Sequence, residues 1–352
     1  MARYFLVGLI LLVPGLFASP ISGGQEVHLT IDNAPRGEDG RFENLNGEIK
    51  HGSLAVRFPF ILRRFGTYFR AGDGAPETVA NDGAFLRENA RHSTPTVTWV
   101  GHATLLVQMQ RVTFLTDPTW SDRPSPVPLI GPSRYVPPGL AIEDLPPIDF
   151  VIISHNHYDH LDLPTLTTLA KRRPETVFYV PLGNEALLRK HKITNVKALD
   201  WGQRAVFQGV TVHCLPAQHW SKRSFNDDRR ALWSSWAVTS KERRFYFAGD
   251  TGYFPEFKTI GRHLGPFDLV ALPIGAYAPR AMMAESHMNP EEALQAAIDL
   301  KAKHALGIHF GTFDLSDEPL AEPPERFKSA AVNAQFEVND TWVFDIGETR
   351  AF

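Results

Sequence analysis

The sequence predicts an α/β layered domain, and three features carry that prediction. From Thr96 onward, short runs rich in β-branched and aromatic residues alternate with short helical runs. One such apolar run, Phe150 to Ser154, leads straight into a histidine cluster. Asn289-Pro290-Glu291-Glu292 is a well-formed helix start, with a capping side chain, a proline in the first turn and acids at the positive end. Alternation of this kind builds sheets covered by helices.

In chain order, Arg3 and the apolar stretch Phe5 to Phe17 read as an export signal, with small residues following at Ala18 and Ser19. That stretch is shorter than the ~20 residues a helix needs to span a bilayer. Residues 1–19 are therefore expected to be a signal peptide, or an uncleaved N-terminal anchor because Pro20 follows closely. Residues 20–94 are expected to be an N-terminal arm on or near a membrane-facing side, polar over 20–50. Within it, residues 54–70 interleave Phe58, Phe60, Phe65, Tyr68 and Phe69 with Arg57, Arg63, Arg64 and Arg70. Rings and arginines together suit a membrane interface; the alternative is an arm packed on the main domain with its arginines reaching outward.

Residues 95–352 are expected to form the main domain. Val97 to Met109 reads as a strand, a turn at Gly101-His102 and a second strand, followed by a strand over Val112–Thr116. Residues 119–147 are Pro-rich and read as a long ordered loop. Asp162 is placed to cap a helix beginning near Pro164. Strands follow at Thr176–Val180, Val196–Leu199, Val210–Leu215, Trp233–Thr239, Arg244–Ala248, Leu269–Ile274 and Ala305–His309. Helices follow at Asn184–His191, Pro290–Lys303 and Pro324–Ala334. No internal repeat is visible.

Composition narrows the function. A chain of 352 residues with 43% apolar content can bury a large core. A net charge of -3 gives no sign of a nucleic-acid protein. The single cysteine, Cys214, rules out a disulfide framework within the chain and sits in an apolar run as a core thiol.

The chemistry lies in His155-Asn156-His157-Tyr158-Asp159-His160. In an extended segment, residues i and i+2 share a face. His155 and His157 can therefore hold one ion beyond the strand end, while Asp159 and His160 reach a second. Crowding polar groups there is costly unless a cation satisfies them. Three further candidates each follow a predicted strand: His219, Asp250 and His309. The count makes two sites. His155, His157 and His219 hold one metal, Asp159, His160 and His309 the other, and Asp250 bridges them. Imidazole and carboxylate donors suit two zinc ions; iron or manganese are alternatives.

The cluster resembles the signature of the metallo-β-lactamase superfamily. Longer segments are similar to N-acyl-phosphatidylethanolamine-hydrolysing phospholipase D. Among them are Trp99-Val100-Gly101-His102-Ala103-Thr104, Gln218-His219-Trp220, Phe247-Ala248-Gly249-Asp250-Thr251-Gly252-Tyr253 and Ile308-His309-Phe310-Gly311-Thr312-Phe313. The resemblance covers roughly residues 40–350. It implies an αββα sandwich of two mixed sheets with outer helices, and metal ligands at the seven residues just named. It also implies a phosphodiesterase that releases phosphatidate and N-acylethanolamine, by attack of a metal-bridging hydroxide on phosphorus. Ser286 and Phe310 depart from the family pattern, which has glutamine and tryptophan there.

Besides Asp159 and Asp250, two residues are candidates for the chemistry: Tyr158, whose hydroxyl would reach a phosphate oxygen, and His287, which aligns with a family histidine near the active site. Asp117 and His102 are candidates to orient a ligand imidazole, and Lys222 and Arg223 to meet anionic lipid. Expected partners are a phospholipid at a membrane surface and no nucleic acid, with a homodimer left open; the expected location is exported and peripherally membrane-associated. The competing readings are another hydrolase on the same fold, such as a lactonase or soluble phosphodiesterase, and a zinc-binding protein without catalysis.

Overall fold

The structure, a computed structural model, describes residues 33–67, 74–92, 94–127 and 131–352. The expected export segment, residues 1–19, lies outside them. The apolar runs pair into two sheets. The first takes β1 (Thr96–Gly101), β2 (Thr104–Met109), β3 (Val112–Thr116), β4 (Phe150–Ile152), β5 (Val177–Pro181) and β6 (Val196–Leu199). The second takes β7 (Arg204–Phe207), β8 (Val210–Leu215), β9 (Ser235–Thr239), β10 (Arg244–Phe247), β11 (Phe267–Pro273), β12 (Ala302–Ile308) and β13 (Thr341–Trp342). The last strand, β14 (Thr349–Ala351), returns to the first sheet beside β1.

The strand orders are β14-β1-β2-β3-β4-β5-β6 and β13-β12-β11-β10-β9-β8-β7. Both sheets are mixed in the same way. An antiparallel meander ending at β3 or β10 continues into parallel strands, β4 to β6 in one sheet and β11 to β13 in the other. The two halves repeat a topology that their sequences do not show.

The helices are α1 (Leu54–Thr67) and α2 (Ala84–His92) in the N-terminal arm, then α3 (Leu163–Arg172), α4 (Glu185–Lys190), α5 (Glu256–His263), α6 (Arg280–Met283), α7 (Pro290–Asp299) and α8 (Glu322–Asn333). Side chains alternate along the central strands of the first sheet. Leu105, Val107, Phe114, Phe150, Ile152 and Tyr179 face the second sheet. Leu106, Leu115, Val151, Ile153, Phe178 and Val180 face a separate layer with Leu86, Leu166, Leu169 and Leu188 of the helices. Burial on both faces explains why these strands read as continuous apolar runs. The layers are α-β-β-α. The arm belongs to this packing: Phe42 is fully buried in the same hydrophobic cluster as the inter-sheet residues.

The inter-sheet core is densely aromatic. Phe150 stacks on Phe114 with centroids 4.6 Å apart and meets Tyr179 and Phe207 edge-on at 5.6 and 5.4 Å. Phe150→Ala is expected to cost about 3–5 kcal/mol, the usual range for a buried phenylalanine. Urea unfolding of the metal-loaded protein reads this directly.

Two local expectations are corrected. Asp162 precedes α3 but makes no side-chain cap bond. Its carboxylate instead accepts from Trp120 N, Ser121 N, Ser121 Oγ and Thr165 Oγ1, so it ties the Pro-rich loop to the helix start. The helix expected over Pro290–Lys303 stops at Asp299, because Lys301 takes a left-handed φ of 57° and β12 begins at Ala302. The Asn289 cap is a full capping box.

Candidate metal centre

Every predicted ligand follows a strand end on one rim of the sandwich: the histidine cluster after β4, His219 after β8, Asp250 after β10 and His309 after β12. The turns there are tight. His309, His102 and Asp117 have φ of 61°, 53° and 35°. Such left-handed conformations in residues other than glycine store strain and gather at functional sites. Gly249, before Asp250, has φ +60°, and a Cβ there would lie 2.4 Å from Ser154 Cβ. Only glycine lets Asp250 come this close to the cluster.

The side chains form two groups. His155, His157 and His219 bring one nitrogen each within 4.8 Å of one another. His155 Nε2 is 2.8 Å from His157 Nδ1, which is 3.3 Å from His219 Nε2. The second group is Asp159, His160 and His309, joined by His102. Asp250 lies between the groups. Its Oδ2 is 3.2 Å from His160 Nε2 and 3.9 Å from His219 Nε2, and its Oδ1 is 3.1 Å from His309 Nε2.

The outer contacts aim these donors inward. Asp117 Oδ2 accepts from His160 Nδ1 at 2.7 Å. Ser154 Oγ contacts both Asp117 Oδ2 and His155 Nδ1, at 2.5 and 2.9 Å. His219 Nδ1–H donates to the Ser286 carbonyl at 3.0 Å, leaving Nε2 for the site. His102 does not hold an imidazole as expected. Its Nε2 holds the Asp159 carboxylate at 2.9 Å, because its left-handed turn points the ring at Asp159 and against His309.

The electrostatics fit a cation. Burial, reinforced by neighbouring histidines, drives His155 well below its ordinary range. Burial likewise lowers His219 well below its range and His157 to about 4, against the pull of nearby carboxylates. These imidazoles are neutral and ready to ligate. Burial also works against charge at His160 and His309, but Asp250 and Asp159 outweigh it; His160 is raised well above its usual value and His309 to about 9. Asp159 and Asp250 remain ionised for the reciprocal reason, the histidine charges overcoming burial. Asp250 Oδ1 and His157 Nε2 are buried without a hydrogen-bond partner. A buried and a partly buried carboxylate, neutral imidazoles and orphaned donor atoms are a donor set for divalent metal ions. His155, His157 and His219 would hold one ion and Asp159, His160 and His309 a second, with Asp250 between. A metal ion binding there must then displace the protons of His160 and His309. Titration calorimetry at pH 7 in buffers of different ionisation enthalpy is expected to show net proton release, and no release would contradict this charge assignment.

Residues 112–310 match the family model described as a beta-lactamase superfamily domain. The chain belongs to the metallo-β-lactamase superfamily. N-acyl-phosphatidylethanolamine-hydrolyzing phospholipase D 1 of Caenorhabditis elegans is 43% identical over 264 residues, covering 71% of this chain and 74% of that protein. An uncharacterized protein of Mycobacterium tuberculosis is 38% identical over 331 residues, covering 91% and 87%. The isothiocyanate hydrolase from Delia radicum gut bacteria shares the fold, with a TM-score of 0.58 at 22% identity over 73% of this chain and 99% of that one. The superfamily member described here is thus related to the N-acyl-phosphatidylethanolamine-hydrolysing family, and its paired His/Asp clusters are those of a metal-dependent hydrolase.

The hydrolase opens its clusters into a cavity of about 190 Å³ walled by His51, Trp220, Met282, Met283, His287 and Leu315. His287 is brought in: its buried Nδ1 has no hydrogen-bond partner and lies 3.9 Å from Asp250 Oδ2. Burial lowers its pKa to about 4, so it is neutral. Tyr158 is not brought in. Its hydroxyl donates to the Arg223 carbonyl at 2.9 Å, and its ring, under the Arg223 guanidinium, lines a different cavity. Residues 157–160 form a turn closed by His160 N and Leu161 N on His157 O, and that turn keeps Asp159 and His160 on the metal side while carrying Tyr158 away from it. Arg223 is likewise not a free lipid contact: its Nη1 donates to the carbonyls of Asn156 and Leu161, clamping the ligand loop.

Two arm residues at the site carry no sequence signal. Asn44 pairs with the His219 backbone in both directions, Nδ2 donating to His219 O and Oδ1 accepting from His219 N. His51 packs edge-on against Trp220 at 4.9 Å, and Trp220 in turn meets His157 at 4.5 Å.

Proposed function

We propose that the protein is a zinc-dependent phosphodiesterase that hydrolyses N-acyl-phosphatidylethanolamine to phosphatidate and N-acylethanolamine. The observation that carries this reading is the 43% identity to a phospholipase D of that name across 71% of the chain. The two-cluster donor set supports it. Zinc in such a site supplies Lewis acidity toward phosphate oxygens and lowers the pKa of water toward neutrality. The chain's own residues do the rest. His102 and Asp117 hold Asp159 and His160 in place. His287 Nδ1, neutral and unpartnered, is the group placed to move a proton at the cavity wall. Met282, Met283, Leu315 and Trp220 give the cavity an apolar wall beside the reacting centre. In the reaction, the phosphorus–oxygen bond to ethanolamine breaks, water oxygen joins phosphorus, and a water proton ends on the ethanolamine oxygen.

The test offers zinc-loaded protein three substrates in mixed micelles: N-acyl-phosphatidylethanolamine, phosphatidylcholine and a lactone. Release of phosphatidate and N-acylethanolamine is expected from the first. Lactone opening without phosphatidate would make the protein another hydrolase on the same fold.

A further inference from the structure

We propose that α1 is an in-plane docking helix for an anionic lipid bilayer, and that it sets the metal cavity at the bilayer surface. This rests on the lipid reading above and names the surface that meets the substrate.

The helix is apolar on two sides. Phe60 faces inward and is buried. Leu54, Phe58, Ile61 and Leu62 face outward, 79, 64, 48 and 54% exposed. Their spacing, i, i+4, i+7 and i+8, puts them on one stripe. The other exposed large apolar residues, such as Phe225 and Val206, fall singly along the described chain. Single exposures are ordinary, whereas a continuous stripe marks a contact surface.

Charge selects lipid as the occupant. The span Leu54–Thr67 contains Arg57, Arg63 and Arg64 and no acidic residue. Arg63 and Arg64 hold Asp317 and Asp314 in the loop that follows His309. Arg57 is exposed and makes no ion pair among the described residues. An apolar stripe with Arg57 beside it, unpaired among the described residues, is suited to insert at an anionic headgroup layer.

The helix is also firmly joined to the site. The arm passes Asn44 on His219 and His51 on Trp220, then turns at Gly52 into α1. Gly52 has φ +72°, and a Cβ there would lie 3.0 Å from Ala281 O of α6. Met282 and Met283 of α6 wall the metal cavity. That cavity, about 190 Å³, is below the ~300–1,000 Å³ that encloses a drug-sized ligand. It takes a headgroup and leaves acyl chains outside, which a bilayer against α1 would retain.

The test compares the full-length zinc-loaded protein with a Phe58→Glu/Ile61→Glu variant in sedimentation with vesicles. Vesicles are phosphatidylcholine alone or with phosphatidylglycerol; zinc content and circular dichroism confirm the variant's fold. Wild type is expected to bind the phosphatidylglycerol vesicles, and the variant about tenfold more weakly. Equal binding by the two, or no binding by wild type, would overturn the proposal. So would a wild-type dimer that the variant converts to monomer, because a second copy would then cover the stripe. Binding is read without turnover, so a failed hydrolysis assay leaves this result standing and bears only on the substrate.

Discussion

Asp250→Asn is expected to lower kcat by about 10³-fold or more, the scale at which lost electrostatic stabilisation of a reacting centre appears. Asp250 contacts members of both clusters, His219 on one side and His160 and His309 on the other. Asparagine keeps the shape, so the sandwich should fold unchanged. It removes a buried negative charge that counters His160 and His309, and it replaces an oxygen acceptor by a donor aimed at the ligands. Zinc per chain should fall from two equivalents as turnover falls. Steady-state hydrolysis in mixed micelles beside metal analysis checks both. A fully metallated variant with wild-type turnover would remove Asp250 from the chemistry.

Asp117→Asn comes second. This fully buried carboxylate accepts from Ser154 N at 2.6 Å, from Ser154 Oγ and from His160 Nδ1. Through Ser154 it also fixes His155, so one side chain orients an imidazole in each cluster. Outer partners of this kind typically contribute 10–100-fold to metal affinity or activity, and a loss of about that size is expected. Ser154→Ala, which breaks only the link to His155, should cost less. Competition with a chromophoric zinc chelator measures the affinities. Unchanged affinity in the asparagine variant would mean that His160 is oriented without Asp117.

The metal centre was legible because its donors obey short-range rules. The i, i+2 spacing of His155 and His157 needs only an extended backbone, and His219, Asp250 and His309 each stand just past an apolar run. The central strands were legible because both faces are buried. What sequence spacing could not carry was direction and distance. Tyr158 shares the motif yet faces away, because residues 157–160 turn and the spacing alone does not say which side chains that turn carries off the metal side. Asn44 and His51 reach the site from more than a hundred residues away. Asp162 has the identity of a helix cap, but tertiary bonds to Trp120 and Ser121 claim its carboxylate. Residues 54–67 showed their aromatic and basic content but not their helix, which Pro59 argues against locally and which packing against α6 supports.

The most direct test is a zinc titration of chelator-stripped protein with N-acyl-phosphatidylethanolamine, reading phosphatidate and N-acylethanolamine together. The expected result is no product without metal, and equimolar release of both products that levels off at two zinc ions per chain. Undiminished turnover by the stripped protein, or zinc-dependent turnover that yields neither product, would contradict a two-zinc lipid phosphodiesterase.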